Sequence, residues 1–259
     1  MKKTLSLILS AALCVTLAAC TNNSADNADD FSEDPSASVT TPETAETVID
    51  HPDDLYQAYR NALENLIRNR KFPDGTDAAE PLGGDLSENK FAVYDVDNDG
   101  TEELLLMYTN TDMAGHAGYV LAYDAETKEL KTELLEFPML TFYDNGIIKA
   151  GWSHNQGRGM DFWPFSLYQY VSDSDSYVLV GMVDAWDKNW PGADPFPSDI
   201  DKSGTGFVYY IMEDGQYDNT HPVDASDYNA WLSPYIGDAS EIQIQYLNLT
   251  EENISQIGK

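Results

Sequence analysis

The segment from 91 to 108 constrains what this chain can fold into more than any other. Its sequence, FAVYDVDNDGTEELLLMY, places apolar runs on both sides of an acidic stretch. Short runs of β-branched, aromatic and leucine residues are typical of buried strands. Within the acidic stretch every second residue is an aspartate, and Gly100 follows where the chain must turn sharply. The segment therefore predicts a strand, a tight acidic loop and a second strand.

The acidic loop has the ligand spacing of a calcium site. Calcium binds six to eight oxygen atoms at about 2.3–2.6 Å, and alternate residues of a tight loop can supply them from one side. Three aspartates occupy loop positions one, three and five, and a glycine occupies position six, where a Cβ atom would obstruct the turn. The predicted metal ligands are Asp95, Asp97, Asp99, the backbone carbonyl of Thr101, and Glu103, which would bind directly or through a water molecule.

The loop departs from an EF-hand at two points. Position twelve, a bidentate glutamate in that family, is Leu106 here, and the flanks predict strands where an EF-hand has helices. The motif is more similar to the strand–loop–strand calcium loops of FG-GAP repeats. It also resembles a loop of lipid-anchored bacterial proteins of unknown function, in which a YDxDxDGxxEL string follows a short helix. These resemblances imply calcium binding and an extracytoplasmic location, and they imply no known reaction.

An acidic turn without metal is the alternative interpretation of the same residues. Asn98, Asp99 and Gly100 would turn a hairpin without a cation. The ligand carboxylates repel one another unless something neutralises them, which favours a bound cation. No nucleophile or general base adjoins the loop in the sequence, so we expect calcium to have a structural role and predict no catalytic residue.

The first 20 residues have the order of a lipoprotein signal. Two lysines precede an apolar stretch from 5 to 17, which is too short to span a membrane. The stretch ends in Leu-Ala-Ala-Cys, which resembles a lipobox, the signal for cleavage before the cysteine and for its lipidation. We therefore expect a signal peptide at 1–19 and an extracytoplasmic protein that is anchored to the cell membrane through lipidated Cys20. Several acyl chains anchor a protein stably where a single chain does not.

Two further regions follow the signal peptide. The region 20–50 begins with lipidated Cys20 and is predicted to be a disordered acidic tether. Residues 21–50 hold eight carboxylates and no lysine or arginine. The remainder, 51–259, is long enough for a single calcium-loop β-rich domain with its own core. Both cysteines of the chain, at 14 and 20, precede this domain. We therefore expect no disulfide in it.

The charge of the chain excludes some partners. Its 14 basic and 45 acidic side chains give a net charge of −31. Because nucleic-acid-binding proteins carry a basic patch, this balance argues against nucleic acid as a partner. We expect a monomer whose partners are the membrane, through Cys20, and an unidentified cell-surface protein or glycan.

The pattern of apolar residues predicts an α+β fold. Residues 52–70 predict an amphipathic helix with an apolar stripe. The chain that follows the acidic loop predicts successive antiparallel hairpins, which would form a β meander or curled sheet, with short helices near the C-terminus. The predicted hairpins are 118–124 with 130–137, 140–143 with 146–152, 162–171 with 177–186, and 207–212 with the segment after 215; the predicted C-terminal helices begin near 224, with Pro234 limiting the first, and at 250.

Aromatic residues raise a further possibility for function. Four tryptophans fall within 152–190, and tryptophan beside acids and amides is a familiar arrangement for stacking on sugars; core packing is the alternative. The candidate ligand-binding aromatics are Trp152, Trp163, Trp186 and Trp190. The function that the sequence favours is a binding or interaction module with structural calcium. The alternatives are an extracytoplasmic hydrolase or carbohydrate-binding protein acting on cell-wall glycan or peptide, and a calcium-dependent adhesion module.

Overall fold

The computed structural model describes residues 52–155, 159–190 and 194–259. All of them fall within one compact unit, Val48–Lys259. The predicted signal peptide, Cys20 and the tether lie outside the described residues.

Ten strands and three α-helices make up the described chain. The strands are β1 (Lys90–Tyr94), β2 (Glu103–Tyr108), β3 (Ala117–Asp124), β4 (Glu129–Glu136), β5 (Leu140–Phe142), β6 (Ile147–Gly151), β7 (Phe165–Val171), β8 (Ser176–Asp187), β9 (Phe207–Met212) and β10 (Leu247–Asn248). The helices are α1 (Pro52–Asn69), α2 (Ala225–Ile236) and α3 (Glu251–Ile254), and two short 3-10 helices lie at Leu82–Gly84 and Met113–Gly115.

The strands form two five-stranded antiparallel sheets. The first sheet has the order β10-β1-β2-β3-β4, and the second has the order β5-β6-β7-β8-β9. Consecutive strands pair within each sheet, and short turns join the predicted hairpins β3–β4, β5–β6 and β7–β8. The predicted α+β class with mainly antiparallel strands is confirmed. The division into two sheets, and the pairing of β10 from the C-terminal end with β1, are features that the sequence did not indicate.

The second strand of the first sheet explains the layering of the domain. All six residues of β2 are buried. Since alternate residues of a strand face opposite sides, one set points to α1 and the other points to the second sheet. Leu104 and Leu106 belong to the core against α1, whereas Leu105 and Met107 belong to the core between the sheets. A strand this apolar on both faces needs a cover on each side, which α1 and the second sheet provide.

Helix α1 covers the first sheet with its predicted apolar stripe. Leu55, Tyr59, Leu63 and Leu66 are buried in the core that this helix shares with the sheet. The Tyr59 hydroxyl also donates a hydrogen bond of 2.7 Å to the backbone carbonyl of Glu102, immediately before β2. The helix is therefore fixed to the end of the acidic loop as well as to the sheet.

Helix α2 covers the outer face of the second sheet. Asp224 caps its N-terminus by accepting a hydrogen bond from the Ser226 amide. The ring of Tyr228 stacks on that of Tyr209 of β9, with centroids 4.1 Å apart. The helix continues two residues past Pro234, which was expected to limit it. A proline in the last turn removes only one backbone hydrogen bond, which the packing against the sheet can offset.

The fourth predicted hairpin is wrong. The segment after Gly215 does not form a strand, and its pairing with β9 is reduced to an isolated bridge between Val223 and Tyr209. Asp218 instead accepts hydrogen bonds from the amide and hydroxyl of Thr220, which holds a local turn. Short aspartate side chains compete with strand pairing in this way.

We expect Leu106→Ala to lower the free energy of unfolding by about 2–5 kcal/mol, because it leaves a cavity in a fully buried position of the central strand. Leu135→Ala on β4 is the matched control, since this leucine is 48% exposed and should change stability by no more than about 0.5 kcal/mol. Urea unfolding of both variants measures the difference. Equal losses in the two variants would contradict the double-sided burial of β2.

Candidate metal centre

The acidic loop between β1 and β2 lies where the two sheets meet. The Asn98 side-chain amide donates a hydrogen bond of 2.8 Å to the backbone carbonyl of Asp144, in the turn between β5 and β6. On β7, the Tyr170 hydroxyl is 3.5 Å from a carboxylate oxygen of Asp99. Val96 is buried in the core between the sheets, which holds the start of the loop inward. The loop therefore contacts both sheets although it belongs to the first.

Backbone amides of the loop bind its own carboxylates. Asp95 accepts hydrogen bonds from the amides of Asn98 (2.7 Å) and Gly100 (3.2 Å). Asp97 accepts one from the amide of Asp99 at 3.0 Å, and Asp99 accepts one from the amide of Thr101. This pattern fixes the direction of each aspartate side chain before any ligand binds.

The glycine of the loop is required for a reason other than the predicted one. No atom lies within 4 Å of the position that a Cβ would take at Gly100, so a side chain would not clash there. Its φ of +95° is the constraint, because side chains other than glycine rarely adopt this conformation. Asn98, at φ +63°, takes the left-handed conformation that asparagine tolerates.

The three loop aspartates come together. One carboxylate oxygen from each of Asp95, Asp97 and Asp99 lies within 4.8 Å of the other two. Asp97 is the most buried of the three, and burial together with the charges of its two neighbours raises its pKa to about 7. This cluster could hold a metal ion, and its donors are all oxygen atoms, the ligands that hard cations prefer.

The other two predicted ligands have different surroundings. Glu103 turns inward and is only 1% exposed, and one of its oxygens accepts a hydrogen bond of 2.9 Å from the Val96 amide. Burial is the main cause that raises its pKa to about 10. Thr101 is half-buried at the end of the loop. Among the described residues, Glu103 is not one of the acids whose oxygens lie close enough together to share a metal ion. Its hydrogen bond with the Val96 amide instead holds the backbone at the start of the loop.

Two carboxylates that the sequence analysis did not identify lie beside the loop. Oxygens of Asp97, Glu133 and Asp175 lie within 4.8 Å of one another, which makes a second acidic group that could hold a metal ion. Glu133 comes from β4 of the first sheet, and Asp175 comes from the turn between β7 and β8 of the second. The second group therefore spans the two sheets.

A β-bulge turns Glu133 into the domain. Val120 of β3 pairs with Leu134, and Leu121 pairs with Thr132, so Glu133 is the extra residue on β4. Bulges re-aim side chains in this way. Glu133 and Leu134 are consecutive and both buried, which a regular strand with one open face does not allow. Two adjacent leucines after the glutamate, at 134 and 135, are the break in alternation that could have indicated the bulge.

Asp175 is held by donors from its own turn and from β4. The Tyr170 hydroxyl donates to one oxygen at 2.8 Å, and the Lys131 ammonium lies 3.2 Å from the other. Lys131 also binds the backbone carbonyl of Asp175. Partial burial raises the pKa of this carboxyl, but the hydrogen bonds outweigh the burial and the net shift is downward. Asp175 is therefore an ionised carboxylate next to the buried Glu133.

The four candidate aromatics have different described neighbours. Trp163 donates a hydrogen bond of 2.8 Å to the backbone carbonyl of Trp152, and its ring lines a cavity of about 300 Å³. Asp161 is the one acid among the described residues that line this cavity, so they supply no carboxylate pair for hydrolysis. Trp186 packs edge-to-face on a phenylalanine ring of the following loop, and the Trp190 amide closes a local turn.

Comparison with known proteins finds no matching family model, no matching curated protein and no matching solved structure. Within 52–155, 159–190 and 194–259, no helix combines the length and the apolar character needed to cross a membrane.

Metal-free protein should lose stability as the pH rises from 5 to 9. Burial, followed by the charges of neighbouring aspartates, raises the pKa of Glu133 from 4.5 to about 9. An acid that binds its proton more tightly when folded favours folding below its unfolded pKa, and this stability is lost as the pH rises towards its folded pKa. Glu133→Gln should therefore raise the free energy of unfolding in EDTA at pH 8, by about 1–3 kcal/mol, and should raise it less at pH 5.

Urea unfolding at both pH values measures this effect. Glu129→Gln is the matched control, because Glu129 lies on the same strand and is exposed. Equal effects of Glu133→Gln at pH 5 and pH 8 would show that burial does not raise the pKa of Glu133.

Proposed function

We propose that this protein binds calcium at the loop between β1 and β2 and that the ion has a structural role. The observation that carries the proposal is the convergence of Asp95, Asp97 and Asp99, each with an oxygen within 4.8 Å of the others. An ion bound at about 2.4 Å to each of two oxygens requires those oxygens to lie no more than about 4.8 Å apart. Every pair among the three side chains meets this requirement.

Calcium fits this loop better than other common cations. The donors are carboxylate oxygens, without the histidine or cysteine ligands that zinc prefers. Magnesium demands near-ideal octahedral geometry at about 2.1 Å and keeps several waters, whereas calcium accepts irregular sets of six to eight oxygens. A loop that offers alternate aspartates, with room for a backbone carbonyl and water, suits the larger ion.

A structural role follows from the position of the loop. Its residues contact the turn between β5 and β6 and the hydroxyl of Tyr170 on β7. An ion that neutralises the aspartates would remove a repulsion at the point where the two sheets meet. Because the unfolded chain does not hold the aspartates together, binding would stabilise the folded domain.

The proposed setting is the outer face of a cell membrane. The lipobox sequence before Cys20 and the acidic tether that follows it support a lipid-anchored, extracytoplasmic protein. Extracellular calcium modules work with dissociation constants of about 10⁻⁴–10⁻³ M, so an ion held mainly by one loop is adequate there. In this setting the domain would act as a binding or interaction module for a cell-surface protein or glycan.

Calcium should raise the melting temperature of the full-length protein. Relative to EDTA, a hundredfold excess over Kd adds about 2.7 kcal/mol, which corresponds to roughly 5–10 °C for a domain of this size. Asp97→Ala combined with Asp99→Ala should abolish the rise. Asp124→Ala is the control, since Asp124 also accepts two backbone hydrogen bonds in a turn but lies in neither acidic group. A rise that persists in the double variant would place the calcium elsewhere.

Lipidation should depend on Cys20 alone. Cells that express the full-length protein should incorporate labelled palmitate into it, and Cys20→Ala should abolish the label. Cys14→Ala is the matched control, because Cys14 lies in the segment that the signal peptidase would remove. Label that survives in Cys20→Ala would overturn the proposed anchor.

A further inference from the structure

We infer that a second divalent cation binds between the two sheets, at Asp97, Glu133 and Asp175, and ties β4 to the turn between β7 and β8. The inference rests on the proposed function in one respect, since Asp97 would bridge this ion and the ion of the loop. The three carboxylates come from three separate elements, and an oxygen of each lies within 4.8 Å of the other two. That separation suits a common cation with oxygen ligands at about 2.4 Å.

Buried groups without partners supply an independent observation. Glu133 is 6% exposed, and within the described part of the chain no donor reaches either of its carboxylate oxygens. It can bind Asp175 only while it keeps a proton to donate, because two ionised carboxylates have no proton to share. The Tyr177 hydroxyl, on a residue 8% exposed, likewise has no partner among the described residues. Folded proteins pair almost all such groups, because an unpaired buried carboxylate is costly. A cation at this position would bind the free oxygens of Glu133.

The tyrosine hydroxyl is close to the same acids. Tyr177 lies at the start of the strand that follows Asp175, and the centroid of its ring lies 5.6 Å from that of Tyr170, whose hydroxyl donates to Asp175. A hydroxyl that remains protonated offers an oxygen lone pair to a cation and carries no charge of its own. Tyr177 belongs to the core between the sheets, so its hydroxyl is a further buried oxygen near this group.

The balance of charge at this group calls for a divalent ion. Three carboxylates carry three negative charges when ionised, and the cation that contacts them among the described residues is Lys131, at 3.2 Å from Asp175. The Lys131 ammonium also binds the backbone carbonyls of Ser174 and Asp175, which holds it at the turn. Two negative charges are left over, and one divalent cation cancels them. The all-oxygen donor set selects a hard ion such as calcium.

The two groups of acids do not form one cluster. Among the described residues the two groups overlap only at Asp97, so the oxygens of Asp95 and Asp99 do not share one 4.8 Å cluster with those of Glu133 and Asp175. A carboxylate has two oxygens and can bridge two metal ions, which lie about 3.5–4 Å apart in known pairs. Asp97 has the position for that role between the loop and the sheets.

The second ion would fasten the two sheets together. Lys131 already links β4 to the turn between β7 and β8, at the exposed side of the acidic group. A cation bound by Glu133 and Asp175 adds a second link behind it, at a buried depth where screening by salt is weak. The bulge that directs Glu133 inward would thus place a metal ligand between the sheets.

The stoichiometry of calcium binding tests this inference. Full-length protein is stripped with EDTA, dialysed, and titrated with calcium by calorimetry, with native mass spectrometry counting the ions. Wild type should bind two ions, Glu133→Gln one, and Asp99→Ala one. Glu129→Gln, the exposed control on the same strand, should bind two. Circular dichroism checks that each variant folds, and Asp175→Asn replaces Glu133→Gln if that variant does not.

Other outcomes separate the two proposals. One ion in wild type, lost in Asp99→Ala and unaffected by Glu133→Gln, would overturn the second site and leave the proposed function standing. One ion lost in Glu133→Gln and kept in Asp99→Ala would support the site between the sheets and overturn the loop site. A single ion weakened by both variants would overturn the two-ion arrangement. No binding to wild type would overturn both proposals.

Discussion

Burial of β2 on both faces is the constraint on which the rest of the domain depends. A strand with leucines on each side must be covered twice, and α1 covers one face while the second sheet covers the other. The loop that leads into β2 therefore emerges where the two sheets meet, and it contacts the turn after β5 through Asn98. The position of the aspartates is thus a consequence of the core and not an independent feature of the surface.

The same layering creates an electrostatic problem that a cation would solve. Asp97, Glu103 and Glu133 all have raised pKa values, with burial as the main cause of each shift. Without a cation these groups can remain buried only by keeping protons, which costs stability at neutral pH. With one, Asp97 and Glu133 become ligands, and their burial strengthens the attraction because water screens it less. The layering that forms the core therefore also buries the carboxylates that would bind the ions.

The sequence predicted the parts of the fold that local patterns specify. The stripe of α1, the strands on both sides of the loop and three of the hairpins have periodicity and turn residues that define them. Strict alternation places Glu133 on the exposed side with Leu135, and only the bulge opposite Val120 and Leu121 turns it inward. The adjacent leucines at 134 and 135 are a local sign of that bulge, but they do not show that Glu133 meets the acidic loop. Asp175 looks like any acid in a turn, and its nearness to Asp97 depends on the stacking of two sheets, which no local pattern encodes.

The most direct test of this account is a crystal structure of the full-length protein grown with calcium, in which long-wavelength anomalous scattering locates the ions. One anomalous peak is expected among Asp95, Asp97 and Asp99, and a second peak is expected among Asp97, Glu133 and Asp175. The two peaks should lie about 3.5–4 Å apart. Ordered carboxylates with no anomalous peak at the loop, in crystals that contain millimolar calcium, would contradict it.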